Sequence, residues 1–217
     1  MQESADVLIM AAGRGERFGK KKQFLDFGKT TVLNTSVVLF MNIEEVNQII
    51  IVYPPDMDKK EVIKKGKLCG DLTMVKGGKK REESVMNGLK HVQEEFVLIH
   101  DAVRPCCSKR LIKEVLKTTL EQGNAVPGIN PFSTVVFFRE GEYKLLDRSK
   151  VFNIQTPQGY RTSEIIKAYK NRKDFGYTDS SSVAYDYGIK IIIVKGERNN
   201  KKITLQEDYE FLKGIYK

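Results

Sequence analysis

The residues best suited to chemistry fall in a few loops. The run Ala11–Ala12–Gly13–Arg14–Gly15–Glu16–Arg17 follows the apolar stretch Val7–Met10 directly. Small residues let a backbone turn tightly and come close to a ligand. N–H groups exposed at such a turn can cradle phosphate oxygens. Arg17 adds a mobile positive charge, and the basic run Lys20–Lys21–Lys22 follows. The chemistry expected here is capture of a nucleotide polyphosphate; a plain strand-to-helix turn is the competing reading. Gly13, Gly15 and Gly19 do not spell GxGxxG, and there is no GxxxxGK[ST] loop. Hydride transfer and P-loop chemistry are therefore poorly supported.

A second loop, Gly77–Gly78–Lys79–Lys80–Arg81, leads to Ser84, which can cap its helix or donate a hydroxyl to a base or phosphate. The third is His100–Asp101–Ala102–Val103–Arg104–Pro105. Asp101 can coordinate Mg²⁺, a hard cation that prefers oxygen ligands. Arg104 can bind phosphate or pin Asp101 through a bidentate pair, and a purely structural salt bridge competes with both. His100 is expected to satisfy a backbone partner rather than act as a general base. Later come Arg148, Gln155–Thr156–Pro157–Gln158, Thr178–Asp179 and Asn200–Lys201–Lys202–Ile203–Thr204. Lys202 precedes a helix start, so its charge can approach a neighbouring phosphate. Surface solvation accounts equally for Lys201 and Arg198.

The elements that must position these loops alternate. Strands are expected at Val7–Met10, Val46–Tyr53, Leu72–Val75, Phe96–His100 and Ile189–Val194. Helices are expected at Val32–Phe40, Asp58–Leu68, Ser84–Val92 and Ser163–Lys170. Another runs from a Ser108 cap to a Gly123 stop, burying Leu111, Ile112, Val115, Leu116 and Leu120. A capping box, Thr204 to Glu207, opens the last helix. This order predicts an α/β fold with a mainly parallel sheet, whose ligands sit beyond the carboxyl ends of the strands. Pro131–Gln158 breaks the rhythm: Val135–Arg139 and Tyr143–Leu146 flank a turn at Glu140–Gly141–Glu142. It reads as a protruding arm or an edge hairpin.

The chain has 217 residues, enough for one α/β domain with an insertion. Its net charge of +9 suits nucleic acid or a small polyanionic substrate, and basic residues beside the phosphate-like loops favour the second. Repeated aromatic–basic motifs, a zinc finger and a clear recognition helix are lacking. Cys69, Cys106 and Cys107 form no metal or disulfide pattern, as expected of thiols in a reducing cytoplasm. No run approaches roughly 18 apolar residues, so no membrane span is expected. The polar, acidic start Met1–Asp6 does not read as a secretory signal.

Taken together, AAGxGxR, Lys22–Gln23–Phe24–Leu25, Gly77–Gly78, His100–Pro105, Gln155–Gln158, Thr178–Asp179 and Asn200–Thr204 resemble the 2-C-methyl-D-erythritol 4-phosphate cytidylyltransferase family. The resemblance runs from about Val7 to Leu212, and ribitol-5-phosphate cytidylyltransferases are near relatives. It implies a Rossmann-like nucleotidyltransferase fold over residues 1–217, with the 131–158 arm exchanged across a cytoplasmic homodimer. It implies Mg²⁺ and CTP, with CMP transferred to 2-C-methyl-D-erythritol 4-phosphate and pyrophosphate released; D-ribitol 5-phosphate is the alternative acceptor. Ala11, Ala12, Gly13, Gly15, Gly78 and Ser84 would surround CTP, Arg17 and Lys22 would contact its phosphates, and Asp101 and Lys202 would lie near the metal. Arg104, Thr134 and Thr178 would place the acceptor, with Arg148 and Thr156 reaching it from the other subunit. The chain departs from the family pattern at several points. Lys21 stands where proline is usual, Lys79 where an acid is frequent, Ser133 where aspartate is common, and Thr178–Ser182 is less acidic than usual.

Overall fold

The computed structural model describes residues 3–173 and 176–216, with the Arg17 side chain outside the described set. Strand β1 (Ala5–Met10) lies at the centre of the sheet. Its one carboxylate, Asp6, is buried at the end away from the loops and accepts from Asn47, Gln48 and the Gln93 N–H. A short hairpin, β2 (Asp26–Phe27) and β3 (Thr30–Thr31), leads to α1 (Val32–Met41). Then β4 (Val46–Tyr53), α2 (Lys59–Gly66), β5 (Thr73–Lys76), α3 (Arg81–Leu89), β6 (Phe96–Asp101) and α4 (Lys109–Gln122) alternate. Thr31, Asp58 and Ser108 cap α1, α2 and α4 by accepting a backbone N–H three residues on.

The second part holds β7 (Asn124–Ile129), β8 (Val135–Arg139), β9 (Glu142–Leu146), β10 (Asn153–Ile154) and β11 (Gln158–Arg161). It continues through α5 (Thr162–Lys170), α6 (Ser180–Asp186), β12 (Ile193–Lys195) and α7 (Gln206–Ile215). The main sheet runs β10-β7-β11-β6-β1-β4-β5, with β12 beside β7. Pairs among β6, β1, β4 and β5 are parallel, whereas β11 is antiparallel to both β6 and β7. The sheet is therefore mixed.

Helices cover both faces, which is why the central strands are apolar almost throughout. Val7, Ile9, Ile51 and Leu98 pack with Leu33, Leu111 and Val115 in one cluster. Leu8, Ile50, Val97 and Ile99 pack with Val85, Ile165 and Tyr169 in the other. From β1 the chain moves outward to β4 and β5, then crosses back to β6 on the far side of β1. Strands β1 and β6 thus end side by side, with Met10 opposite Asp101. Their loops diverge at the carboxyl edge, the place where open α/β sheets bind ligands.

Several expectations change. Helix α3 starts at Arg81 rather than Ser84, and Leu120 is only partly buried. Strand β12 covers only the end of Ile189–Val194. The last helix starts at Gln206, and Asp208 rather than Glu207 accepts the N–H groups of Thr204 and Leu205. The arm is narrower than 131–158: β8 and β9 form it, while β10 and Gln158 return to the main sheet. Glu140 and Gly141, both with positive φ, make its turn.

Candidate active site

The loop after β1 is shaped from below. Buried Gln23 donates to the Ala11 and Gly13 carbonyls at 2.9 and 3.0 Å. Gly15 has φ +77°, and a Cβ there would strike the Lys20 carbonyl, so this position needs glycine. Among the described residues, no acceptor within the chain takes the N–H groups of Ala12, Gly13, Arg14 or Gly15. With the Ala11 and Gly13 carbonyls held by Gln23, the loop offers donors. Lys22 begins the 3-10 turn Lys22–Phe24, its Nζ 5.9 Å from the Phe18 ring centre. Arg17 belongs to the turn Glu16–Phe18, but its predicted phosphate contact falls on a side chain outside the described residues.

The Gly77–Lys80 loop has the opposite polarity. Gly77 N–H goes to the Tyr53 carbonyl at 2.8 Å. Gly78 N–H goes to Ser84 Oγ at 3.0 Å, and Lys79 N–H to Glu83 Oε2 at 2.8 Å. The Ser84 hydroxyl proton is itself taken by the Lys80 carbonyl at 3.0 Å. Ser84 therefore braces the loop, and its hydroxyl is not a donor to a base or phosphate in this arrangement. Among the described residues, no hydrogen bond is made to the Gly78 carbonyl.

Asp101 closes β6 and is buried. Its Oδ2 meets Lys202 Nζ at 2.8 Å and Arg104 Nε at 3.7 Å. Burial raises the Asp101 pKa, but the charges of Lys202, Arg104 and Arg81 outweigh it and hold the carboxyl well below the usual range. The Arg104 contact is a single long one, not the bidentate pair considered from sequence. Arg104 is instead buried, donating to the Asn200 carbonyl at 2.7 Å and the Ile154 carbonyl at 3.4 Å.

Behind Asp101 runs a directed chain of hydrogen bonds. Asp101 N–H donates to Thr156 Oγ1 at 3.0 Å, and Thr156 Oγ1 lies 3.1 Å from His100 Nδ1. His100 Nε2 lies 3.2 Å from the Arg104 carbonyl. A carbonyl only accepts, so Nε2 carries the proton and Nδ1 accepts from Thr156. Burial lowers the His100 pKa to about 4, keeping it neutral. The backbone partner expected for His100 is thus present. Thr156 is buried in its own chain, against His100 and Asp101.

Ala11, Ala12, Gly13, Gly15, Lys22, Gly78, Ser84, Asp101 and Lys202, scattered over most of the chain, all border one cavity of about 390 Å³. Arg14, Lys79, Lys80 and Arg81 also border it, and sequence reasoning assigned none of these four a role. Arg81 opens α3 and donates to the Tyr169 hydroxyl at 3.3 Å. Six basic side chains face two acidic ones, Glu16 and Asp101. Arg104, Thr134, Arg148, Thr156 and Thr178 do not border it. Thr134, Arg148 and Thr178 are exposed, and Arg148 donates to the Phe132 carbonyl at 2.6 Å.

A cationic cavity at the carboxyl edge of the parallel strands, between a donor loop and an acceptor loop, fits the Rossmann-like nucleotidyltransferase class. The model of the family "IspD: 2-C-methyl-D-erythritol 4-phosphate cytidylyltransferase" matches residues 5–216. The chain belongs to that family and is a cytidylyltransferase. It is 34% identical over 212 residues to the 2-C-methyl-D-erythritol 4-phosphate cytidylyltransferase of Clostridium botulinum, covering 93% of this chain and 94% of that one. It is 36% identical over 219 residues to that of Endomicrobium trichonymphae, covering 97% and 98%. The crystal structure of 4-diphosphocytidyl-2C-methyl-D-erythritol synthase from Anaerococcus prevotii superposes with a TM-score of 0.85 at 28% identity, covering 98% and 96%.

Proposed function

We propose that this chain transfers CMP from CTP to 2-C-methyl-D-erythritol 4-phosphate in the non-mevalonate route to isoprenoid precursors. An oxygen of the acceptor phosphate attacks the α-phosphorus of CTP. The bond from that phosphorus to the bridging oxygen breaks, pyrophosphate leaves, and CDP-linked methylerythritol remains. The observation that carries this reading is the cationic cavity between loops of opposite polarity, closed by the Asp101–Lys202 pair.

The acceptor phosphate is anionic at neutral pH, so the step needs no general base. The larger difficulty is bringing two polyanions together. The free N–H groups of Ala12 to Gly15 bind phosphate oxygens, and Lys22, Arg17 and Lys202 stabilise charge as it moves to the leaving group. Each such contact is worth about 3 kcal/mol in the transition state. The donor set fits Mg²⁺: this ion is bound through one or two carboxylates plus substrate phosphates, and Asp101 supplies one ionised carboxylate on the cavity wall. Among the described residues, no three His, Cys, Asp or Glu side chains converge on an all-protein metal site. Asp101 would hold the ion, which would supply charge neutralisation between the two polyanions.

In this reading Arg104, Thr134 and Thr178 place the acceptor. Thr156 acts from behind, through Asp101. Arg148 serves the site of a second copy, because the arm pairs two chains into a homodimer. Among the described residues no helix is long and apolar enough to cross a membrane, and our reading places the reaction in the cytoplasm.

The test is pyrophosphate release with CTP and Mg²⁺, run in parallel with methylerythritol 4-phosphate and D-ribitol 5-phosphate. Release preferring the first acceptor is expected. Preference for ribitol phosphate would move the protein to polyol-phosphate activation, and release with neither would reject both substrates.

A further inference from the structure

Glu83 has no place in the chemistry above, yet it holds two of the four backbone donors of the second loop. Its Oε2 accepts Lys79 N–H at 2.8 Å and lies 3.4 Å from Lys80 N. Ser84 and the Tyr53 carbonyl take the N–H groups of Gly78 and Gly77. All four successive donors of the loop are therefore turned to partners inside the chain. There is no slack in this packing: a Cβ on Gly78 would meet Glu83 Oε2 at 2.7 Å, and one on Gly77 would meet the Ala12 Cβ at 2.7 Å. Gly78 borders the cavity, and its carbonyl is unengaged among the described residues.

A stretch of backbone that offers a carbonyl and withholds its N–H groups sorts the ligand atoms placed against it by their own polarity. An amino group on the ligand finds a partner there. A carbonyl in the same place meets another acceptor and is left unpaired, and a site built this way rejects the wrong partner strongly. Cytosine and uracil differ in this respect at ring position 4, where one carries an amino group and the other a carbonyl. We propose that Glu83 is a positioning residue for nucleotide choice: it draws the Lys79 and Lys80 backbone donors inward, completing the inward turn that Tyr53 and Ser84 give Gly77 and Gly78, so that the cavity selects CTP over UTP. The inference rests on the cytidylyltransferase reading for its ligand, but not on the identity of the acceptor. Without Glu83, the Lys79 and Lys80 N–H groups lose their partner, and the loop can turn donors toward a uracil carbonyl.

The test is calorimetric titration of the full chain with CTP and with UTP, in Mg²⁺ and without acceptor, alongside turnover. Wild type is expected to prefer CTP. In Glu83→Ala the ratio of CTP to UTP affinity is expected to fall by about tenfold or more, through both weaker CTP and stronger UTP binding. Glu83→Gln, whose amide oxygen can still accept from Lys79, is expected to keep most of the preference. Glu83 is exposed, so both variants should fold, which circular dichroism checks. An unchanged ratio in Glu83→Ala overturns the proposal, even if turnover drops, because it reduces Glu83 to a loop brace. Wild type that binds both nucleotides equally, or neither, also overturns it. Wild type that prefers CTP but turns over neither acceptor overturns the named reaction and leaves the role of Glu83 standing.

Discussion

At the residue scale the site is organised by one carboxylate and what surrounds it. Asp101 stays ionised in a buried position because Lys202, Arg104 and Arg81 stabilise its charge. Lys202→Met removes the cation 2.8 Å away, and kcat/KM is expected to fall roughly a hundredfold or more, read by pyrophosphate release with the circular-dichroism spectrum unchanged. His100 makes a separate prediction, about stability. Folding moves its pKa from 6.5 down to about 4. The unfolded chain then binds more protons between those values, so this contribution is complete above pH 6.5 and is lost as pH falls toward 4. Wild type is expected to be roughly 1.4 kcal/mol less stable to urea at pH 5.5 than at pH 7.5 from this group alone. His100→Asn should lose that difference; an equal slope in both proteins would show that His100 is not buried neutral. The other half of the arrangement, Thr156 holding Asp101 from behind, was not legible in the sequence. The two residues are 55 positions apart, and nothing local to QTPQ says that its threonine faces inward.

At the scale of elements, strings of adjacent residues were readable and contacts between distant strings were not. Strand β4 was legible to the residue, because the apolar run Ile49–Tyr53 ends at Pro54–Pro55. The Ser108 cap and Gly123 stop of α4 were equally plain. Strands β7 and β11 were missed because Asn124–Ile129 contains Pro127 and Gly128, and Gln158–Arg161 is four residues long with a glycine inside. Both owe their conformation to partners in the sheet, and β11 brings antiparallel pairs into the mainly parallel arrangement expected. Helix α6 was hidden by its serines and is started by Asp179, which accepts from Ser182 N–H and hydroxyl. The glycine-rich loop after β1 was legible as a ligand loop; its dependence on Gln23 underneath was not. Gly15→Ala tests that loop as an element. Its positive φ alone costs roughly 1–2 kcal/mol with a side chain, and the new Cβ meets the Lys20 carbonyl. Pyrophosphate release is expected to fall about tenfold or more through misplacement of the loop, with the protein still folded at room temperature.

At the scale of the whole molecule the arm matters most. A hairpin of two strands is marginal in water by itself, and β8–β9 exposes Phe138 and Tyr143, paired across the strands, each to 67%. Such a surface is what an interface between two copies would cover. Replacing Phe138 and Tyr143 together by serine is expected to give monomers in sedimentation and to lower turnover at least about tenfold through the missing partner; a dimer that persists would reject the arm as its basis. The cavity and the arm serve one claim, that phosphate oxygen of a polyol phosphate displaces pyrophosphate from the α-phosphorus of CTP. The most direct measurement uses methylerythritol 4-phosphate enriched with oxygen-18 in its phosphate, with products followed by phosphorus NMR. The account requires the α-phosphorus of the diphosphate product to carry an acceptor-derived oxygen and pyrophosphate to carry none. Label in pyrophosphate, or an α-phosphorus without label, would contradict it.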